Sequence, residues 1–338
     1  MRRWIGSGAC QSPGGAFYAW VDETTGAPAF EYPEITGYAL TYLAGRDGLT
    51  ADEERAARRA AGWLLARLDA GDLTARDGWD EGAVYVFDLA MIATGLVAHG
   101  ERLGDERALA GGVALAGMIQ GELGPGGVLD SISRVSPAGS RRTGTWSTSG
   151  RAHLLKVVQC LLAAGAHGLD GAVEAAGAIV EGSRSLQAGD GRFTTVPGAD
   201  EVMLHPHLYA AEGLWIWGTA QGDGEALARS RAAVEWAFGL QLESAGFPRS
   251  VAGGEAAVEQ SDVTSQALRL AALHGVAPKQ AASARDRLAA ILRKCAEGQA
   301  LPYQPAAPVP HLNVWATLFA AQAFDVAGGA GLAWPLFV

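Results

Sequence analysis

The sequence predicts an all-α fold, an (α/α)6 barrel or toroid in which six inner helices are surrounded by five or six outer ones. Two observations lead to this prediction. Long, almost uncharged stretches close on glycine at intervals of about 50 to 65 residues, at Gly45, Gly100, Gly165, Gly218, Gly275 and Gly328. A stretch with a charged face follows each of the first five, as expected of an outer helix with one side in water. Such a repeat indicates a helical hairpin copied around an axis, because a lone hairpin cannot bury its apolar face.

The elements follow in order along the chain. The first inner helix is expected from Pro33 to Leu43, since proline suits a first helical position. Thr50 and Glu53 have the spacing of a capping box and open an outer helix over 52–69. Further inner helices are predicted at 83–99, 148–164, 205–217, 262–274 and 311–326, and further outer helices at 105–120, 171–186, 225–242 and 279–295.

Glycine-rich segments with short β character lead into the inner helices. They lie at 14–20, 126–129, 191–194, 246–248 and 300–303, and they are longer than the connections at the other rim. Loops of this length carry function more often than tight turns do. We therefore expect one domain spanning 1–338, with its site at the rim that holds the N-termini of the inner helices. Residues 1–32 are expected to form an extended segment covering that rim.

Composition narrows the function classes. A formal net charge of -10 and the lack of a basic stripe argue against nucleic acid. No uninterrupted apolar stretch reaches membrane-spanning length, so no membrane partner is expected. The three cysteines are far apart and indicate reduced thiols in a cytoplasmic protein. Without a Walker loop, a dinucleotide fingerprint or a nucleophile elbow, we expect no cofactor and no serine-hydrolase chemistry.

The starts of the inner helices are rich in acids, imidazoles and aromatic rings. In a toroid these positions converge on one central cavity, and six helix N-termini give that cavity a field that tolerates carboxylates. The candidate substrate-binding residues are Trp79, Asp80, Glu81, Trp146, His153, His205, Tyr209, Trp215, Tyr303, His311, Asn313 and Trp315. Aromatic rings among them, together with the ring of Trp20, can stack on the apolar faces of a sugar or on hydrocarbon.

Four acids form the predicted catalytic pool. Glu34 and Asp262 lie at helix starts, where the alternative is a simple N-terminal cap. Asp88 and Glu212 are lone charges in apolar runs. A buried carboxylate must be paired or must have a raised pKa, and a raised pKa is what a general acid needs near neutral pH. The alternative for these two is a structural carboxylate bonded to a neighbouring helix.

The His-Pro-His stretch at 205–207 raises the question of a metal. Two histidines at this spacing near a helix start do not point together, and no cysteine or nearby acid completes a ligand set, so no metal is expected. Proton transfer is the better interpretation of His207, with His205 and His311 as further candidates.

Four stretches carry a resemblance to known proteins. Residues 32–38, 84–88, 205–214 and 312–317 together resemble bacterial helical-toroid proteins, some of them associated with polysaccharide biosynthesis. The layout is also similar to the six-hairpin glycosidases, the uronate-processing hydrolases and lyases, and the N-acylglucosamine 2-epimerase group. The acid motif of the terpenoid cyclases and the zinc set of the prenyltransferases are absent from the sequence.

The resemblance implies a metal-independent enzyme that acts on a carbohydrate or a glycosylated small molecule by general acid/base catalysis, as a hydrolase or lyase with two carboxylates across the cavity. A second hypothesis is an epimerase, isomerase or cyclase that uses histidines. A third is a sugar- or lipid-binding module without catalysis.

Overall fold

The computed structural model describes residues 1–74, 82–137, 140, 145–251, 258–295, 297–306 and 311–338. Its helices, in chain order, are α1 Arg2–Gly6, α2 Pro33–Ala44, α3 Ala51–Asp69, α4 Val86–Leu103, α5 Glu106–Gly121, α6 Trp146–Ser149, α7 Val158–Ala166, α8 Ala172–Gly182, α9 Leu204–Gln221, α10 Gly224–Phe238, α11 Ser261–His274, α12 Pro278–Ile291 and α13 Val314–Ala327. A 3-10 segment, Ala152–Val157, leads directly into α7 and extends it upstream.

Six inner helices form a closed ring. In order around the axis they are α2, α4, α7 with its 3-10 segment, α9, α11 and α13, and α13 contacts α2 again. The outer helices α3, α5, α8 and α10 each pack against two inner helices, and α12 packs against α11. The short helix α1 contacts α3 and α13. The predicted (α/α)6 toroid is confirmed, with five outer helices in the described part of the chain.

The predicted start of the first outer helix is also observed. The hydroxyl of Thr50 accepts a hydrogen bond from the backbone N–H of Glu53, whose carboxylate accepts one from the Thr50 backbone. Arg2 adds an ion pair to Glu53 at 2.7 Å and so fastens α1 to α3. Within the described residues, no helix is both long enough and apolar enough to cross a membrane.

Only three of the six periodic glycines cap an inner helix, at Gly45, Gly275 and Gly328. The prediction that Gly100, Gly165 and Gly218 also end their helices is wrong, because all three lie inside helices. The fourth and ninth helices run on to Gly104 and Gly222, whose positive φ angles of 66° and 68° suit glycine.

Close packing explains the glycines inside the helices. A Cβ atom on Gly100 would lie 2.8 Å from the backbone nitrogen of Leu109, and one on Gly218 would lie 2.7 Å from the side chain of Leu227. Both neighbours belong to the outer helix that follows. In these two hairpins, glycine therefore lets the outer helix pack closely on the inner one, about one turn before the inner helix ends.

The rim above the helix N-termini carries short antiparallel strands, as predicted. They are β1 Trp20–Asp22, β2 Val202–Met203, β3 Phe247–Pro248, β4 Ser250–Val251, β5 Glu259–Gln260, β6 Arg293–Cys295, β7 Gly298–Pro302 and β8 His311–Asn313. A four-stranded sheet has the order β1-β8-β7-β6, while β2 pairs with β4 and β3 with β5. The sixth inner helix thus begins at Val314 and not at His311, because pairing with β1 holds residues 311–313 extended.

The opposite end of the barrel axis is filled by residues 334–338, here called the C-terminal segment. Gln159 donates hydrogen bonds to the carbonyls of Pro335 at 3.0 Å and Phe337 at 2.8 Å, and Gln322 donates to Leu336 at 2.7 Å. Phe337 and Val338 are fully buried. Among the described residues, this segment therefore closes the space inside the ring at the end opposite the strands.

Candidate functional site

A cavity of about 340 Å³ opens at the rim with the strands. Its size falls within the range of pockets that hold small molecules. Nine predicted site residues line it: Glu34, Trp146, His205, Tyr209, Asp262, Tyr303, His311, Asn313 and Trp315. They come from α2, α6, α9, α11, α13, β8 and the residue after β7. The structure thus brings together side chains from most of the circumference of the ring.

Aromatic rings form the cavity walls. Trp20 stacks on His311, with ring centroids 4.8 Å apart and planes 11° apart. Tyr303 meets Trp315 edge to face at 5.3 Å, and Trp146 approaches His205 in the same manner at 5.8 Å. Such rings give a ligand flat apolar surfaces, while the few polar groups between them fix its orientation.

Asp262 is a carboxylate held in place by its neighbours. It lies on the first turn of α11 and is 1% exposed. Its Oδ2 atom accepts a hydrogen bond from Trp315 Nε1 at 3.1 Å and lies 3.5 Å from His205 Nδ1. Its Oδ1 atom accepts one from the backbone of Val263 at 2.8 Å. These contacts fix the orientation of the carboxylate relative to the cavity.

Glu34 is the opposite case. It follows Pro33 on the first turn of α2 and is 7% exposed. Its carboxylate accepts no hydrogen bond and makes no ion pair within the described part of the chain, although it faces the same cavity. A nearly enclosed carboxylate without a protein partner is free to bond a ligand or to exchange a proton with it. The cavity therefore contains one held acid and one free acid, a pairing typical of acid/base sites.

His205 is the imidazole nearest to Asp262. It is the second residue of α9, and its side chain is 14% exposed. Its Nδ1 atom lies 2.7 Å from Oε1 of Gln266, and its ring contacts Tyr209 with centroids 4.3 Å apart. Its Nε2 atom has no hydrogen bond to a described residue. The second nitrogen is thus open to a ligand.

Below the cavity lie three fully buried charged side chains, Lys156, Glu212 and Arg269, which we call the buried charge layer. Glu212 accepts hydrogen bonds from Lys156 at 2.7 Å and from Arg269 at 2.6 Å. The Tyr209 hydroxyl, hydrogen-bonded to that of Tyr38 at 2.9 Å, separates the layer from the cavity. The Lys156 ammonium lies 4.9 Å from the centroids of both tyrosine rings.

The layer holds Glu212 in its charged form. Burial acts to raise the pKa of this carboxyl, but the charges of Lys156 and Arg269 outweigh burial, so its pKa is lowered. Burial in turn lowers the pKa of Lys156 to about 8, against the opposing effect of Glu212. Glu212 was predicted as a general acid or base, yet the structure places it outside the cavity with cations on both oxygens. That arrangement gives it no proton to donate near neutral pH.

Three other predicted residues lie away from the cavity lining. His207 is fully buried: its Nδ1 accepts a hydrogen bond from the backbone N–H of Phe193 at 3.2 Å, and its Nε2 lies 3.0 Å from the carbonyl of Ala233 on α10. Burial lowers its pKa to about 4. His153 lies behind Trp146, and burial lowers its pKa to about 3. Trp215 packs against Phe337 at the far end of the axis.

Four predicted residues remain, Asp88 and the three consecutive residues 79–81. Asp88 is buried on the first turn of α4, 3% exposed, and does not belong to the lining of the described cavity. Trp79, Asp80 and Glu81 lie outside the described residues. No cluster of three His, Cys, Asp or Glu side chains suited to a metal ion occurs among the residues that the structure describes.

Comparison with known proteins identifies the fold. No protein-family model matches the chain, and no curated protein is similar to it in sequence. An unsaturated glucuronyl hydrolase from Bacillus sp. GL1, responsible for the degradation of glycosaminoglycan, matches with a TM-score of 0.73 at 13% identity, over 96% of this chain and 94% of that one. Cellobiose 2-epimerase from Bacillus thermoamylovorans matches with a TM-score of 0.74 at 9% identity, over 94% of each chain.

A third structure contains a ligand. It is an unsaturated glucuronyl hydrolase mutant from Streptococcus agalactiae complexed with dGlcA-GalNAc6S, with a TM-score of 0.70 at 11% identity over 98% of this chain and 91% of that one. The chain has the fold of these sugar enzymes. The predicted likeness to the six-hairpin glycosidase and epimerase type is confirmed at the level of the fold, since identities this low carry no further information about the reaction.

Three lining residues of this (α/α)6 barrel were not among the sequence predictions of its site: Phe30, Tyr32 and Ile35. Trp20 and Phe30 lie in the N-terminal segment, which β1 joins to the rim through β8. The partners of Glu212 were missed as well. A usable signal did exist, because Lys156, Glu212 and Arg269 are isolated charges on three inner helices, and opposite isolated charges on buried helices are expected to pair.

Proposed function

We propose that this chain is an enzyme that acts on a carbohydrate or a glycosylated small molecule by proton transfer in the cavity at the strand-bearing rim. The observation that carries the proposal is the pairing of a free acid, Glu34, with a held acid, Asp262, in one aromatic-lined cavity of about 340 Å³. The structural neighbours support it, since their names describe enzymes acting on glucuronyl groups and on cellobiose.

The two acids have different roles in this proposal. Glu34 has no competing partner, so it is the group that gives a proton to a leaving oxygen or takes one from the ligand. Asp262 is oriented by Trp315 and Val263, so it positions a ligand hydroxyl or an attacking water. Trp20, stacked on His311, offers a platform for the sugar ring.

A substrate assay with matched variants tests the proposal. The purified chain is incubated with an unsaturated glucuronyl disaccharide and with cellobiose, and the products are followed by mass spectrometry. Glu34→Gln and Asp262→Asn are each expected to lower kcat by about 10²- to 10⁴-fold. Glu243→Gln is the control, because Glu243 is an exposed glutamate that does not belong to the cavity lining. Full activity in both cavity variants would refute the assigned roles.

A second candidate reaction is epimerisation or isomerisation, favoured by the presence of two imidazoles, His205 and His311, in the lining. Two bases in one cavity can remove a proton on one side of a carbon and return it on the other. The assay separates the reactions, because hydrolysis adds the mass of water whereas epimerisation leaves the mass unchanged. His205→Asn and His311→Asn are expected to abolish epimerisation. Binding without a product would instead support a sugar- or lipid-binding module.

His207 has no place in this proposal, because both its nitrogens are engaged by backbone groups. A catalytic role for Asp88 stays a prediction, and Asp88→Asn in the same assay tests it. The cytoplasmic location and the lack of a nucleic-acid or membrane partner also stay predictions from composition.

A further inference from the structure

One side chain joins the buried charge layer to the cavity. Gln266, on α11, is fully buried. Its Nε2 atom donates a hydrogen bond to Oε1 of Glu212 at 3.0 Å. Its Oε1 atom lies 2.7 Å from Nδ1 of His205. The contacts therefore run from Glu212 through one amide to the imidazole that lines the cavity.

The chemistry of the partners fixes the direction of both hydrogen bonds. Glu212 is an ionised carboxylate between Lys156 and Arg269, so it accepts hydrogen bonds and donates none. The amide NH₂ of Gln266 must then face Glu212, which leaves the amide oxygen facing His205. An oxygen only accepts, so the proton between Gln266 and His205 belongs to Nδ1 of the imidazole.

We propose that Gln266 is a positioning residue that holds His205 as the Nδ1–H tautomer, so that Nε2 is the nitrogen that exchanges protons with a bound ligand. The tautomer follows from the contacts of Gln266 and Glu212 alone. Its use in catalysis rests on the proposed function.

The arrangement serves both protonation states of the ring. In the neutral ring the lone pair of Nε2 is open to the cavity and takes a proton from a ligand O–H or C–H bond, whose electron pair stays with the ligand. The resulting imidazolium keeps its Nδ1–H bond to Gln266 and gains a negative neighbour, since Asp262 Oδ2 lies 3.5 Å from Nδ1. One nitrogen is fixed while the other carries the proton.

Nitrogen-15 NMR of histidine-labelled protein measures the tautomer without any substrate. At about pH 8.5, where an ordinary imidazole is neutral, the His205 signals are expected to show a protonated Nδ1 and an unprotonated Nε2. The signals are assigned by their loss in His205→Asn. A ring protonated at Nε2, or averaged between the two forms, in the unmodified protein would overturn the proposal.

Two matched variants separate the effect of Gln266 from a general loss of packing. Gln266→Leu removes the acceptor while leaving Glu212 paired with both cations, and it is expected to release Nδ1 so that the Nε2–H form becomes populated. Gln159→Leu is the control, since Gln159 is another fully buried glutamine, bonded to the C-terminal segment and not to His205. Its His205 signals are expected to stay unchanged.

If Gln266→Leu does not fold, Gln266→Asn replaces it, because asparagine is one methylene too short to span Glu212 and His205 together. An unchanged tautomer in the folded variant, or an equal change in Gln159→Leu, would overturn the proposal.

Once a substrate is known, Gln266→Leu is expected to lower kcat by about 10- to 100-fold, the size of the loss seen when the outer hydrogen-bond partner of a metal-bound histidine is removed. An altered tautomer with unchanged kcat would overturn the positioning role. The two proposals fail separately: a protein that turns over no sugar while His205 shows the expected tautomer refutes the proposed function and leaves the tautomer assignment intact.

Discussion

Glu34 and Glu212 are both buried glutamates on inner helices, yet they belong to regions of opposite character. Glu34 borders the cavity with no partner among the described residues, whereas Glu212 accepts hydrogen bonds from Lys156, Gln266 and Arg269. Their exposed fractions, 7% and 0%, differ little. Burial alone therefore does not separate a chemical carboxylate from a structural one. Cationic partners do, because Lys156 and Arg269 keep Glu212 ionised and tie it to the fold.

The energetic cost of burying a charge also differs between the two regions. Each ion taken into a protein interior costs several kcal/mol of hydration, which a well-made ion pair roughly offsets. The buried charge layer thus adds little net stability while it is intact, but removing Glu212, its one carboxylate, leaves two buried cations without a counter-charge. Neutralising Glu34 leaves no buried cation without a counter-charge, because Glu34 has no partner among the described residues.

The largest expected effect comes from breaking the layer. Glu212→Gln should lower the free energy of unfolding by about 3–5 kcal/mol, because Lys156 and Arg269 then remain buried without a counter-charge. Glu34→Gln, the same substitution in the cavity, should change it by less than about 1 kcal/mol. Urea denaturation of both variants measures the difference. Equal losses would show that the two regions are not distinct in the way described.

The next effect is a dependence of stability on pH. Burial lowers the pKa of Lys156 to about 8 in the folded chain, from an ordinary value of 10.5. Between these values the unfolded chain holds a proton that the folded chain has lost, so the free energy of unfolding rises with pH. The slope is at most about 1.4 kcal/mol per pH unit.

Comparison with Lys156→Met isolates this contribution, because other titrating groups are common to both proteins. Denaturation from pH 7 to 10 should show the unmodified protein gaining stability relative to the variant above about pH 8. A difference that stays constant across this range would contradict the lowered pKa.

A smaller effect distinguishes His207 from His205, two residues away on α9. His207→Leu leaves the Phe193 N–H and the Ala233 carbonyl without their bonds, and should lower the free energy of unfolding by about 1–3 kcal/mol while kcat is kept. His205→Asn should abolish turnover while changing the free energy of unfolding by less than about 1 kcal/mol. Thermal denaturation and turnover, measured on both variants, check the exchange of roles. Loss of kcat in a folded His207→Leu protein would argue against it.

The smallest effect concerns the boundary between the two regions. Tyr38→Phe and Tyr209→Phe should each lower the free energy of unfolding by about 1 kcal/mol, because each leaves one buried hydroxyl without its partner. The double variant should lose less than the sum, since no orphaned hydroxyl remains. A double-mutant cycle by urea denaturation measures the coupling, and strict additivity would mean that the bond is not formed in solution.

The sequence allows the ring to be predicted because its signal is local. Alternating apolar and polar-faced helices repeat within about 60 residues, and each hairpin shows the pattern by itself. The details that were missed depend on distant parts of the chain. Residues 311–313 form a strand and not a helix start because they pair with residues 20–22. The glycines inside helices depend on how closely an outer helix returns, which the spacing alone does not show.

The candidate site likewise has features that the sequence predicts and features that depend on distant residues. Convergence of helix starts on one cavity follows from the repeat, and it led to Glu34, His205 and Asp262. The repeat does not show whether a given carboxylate is paired or open to a ligand. Two partners of Glu212, for example, lie 56 residues before it and 57 after it. A lone charge in an apolar helix looks the same in sequence whether it meets a counter-charge or a ligand.

The C-terminal segment also determines how a long ligand can enter the barrel. Since residues 334–338 and the buried charge layer fill the axis below Tyr209, a polymer cannot thread through the ring. A chain molecule can insert only its tip, and whatever is released must leave by the entrance before the next molecule arrives. Under the proposed function, a glycan chain is therefore expected to be shortened or altered from one terminus.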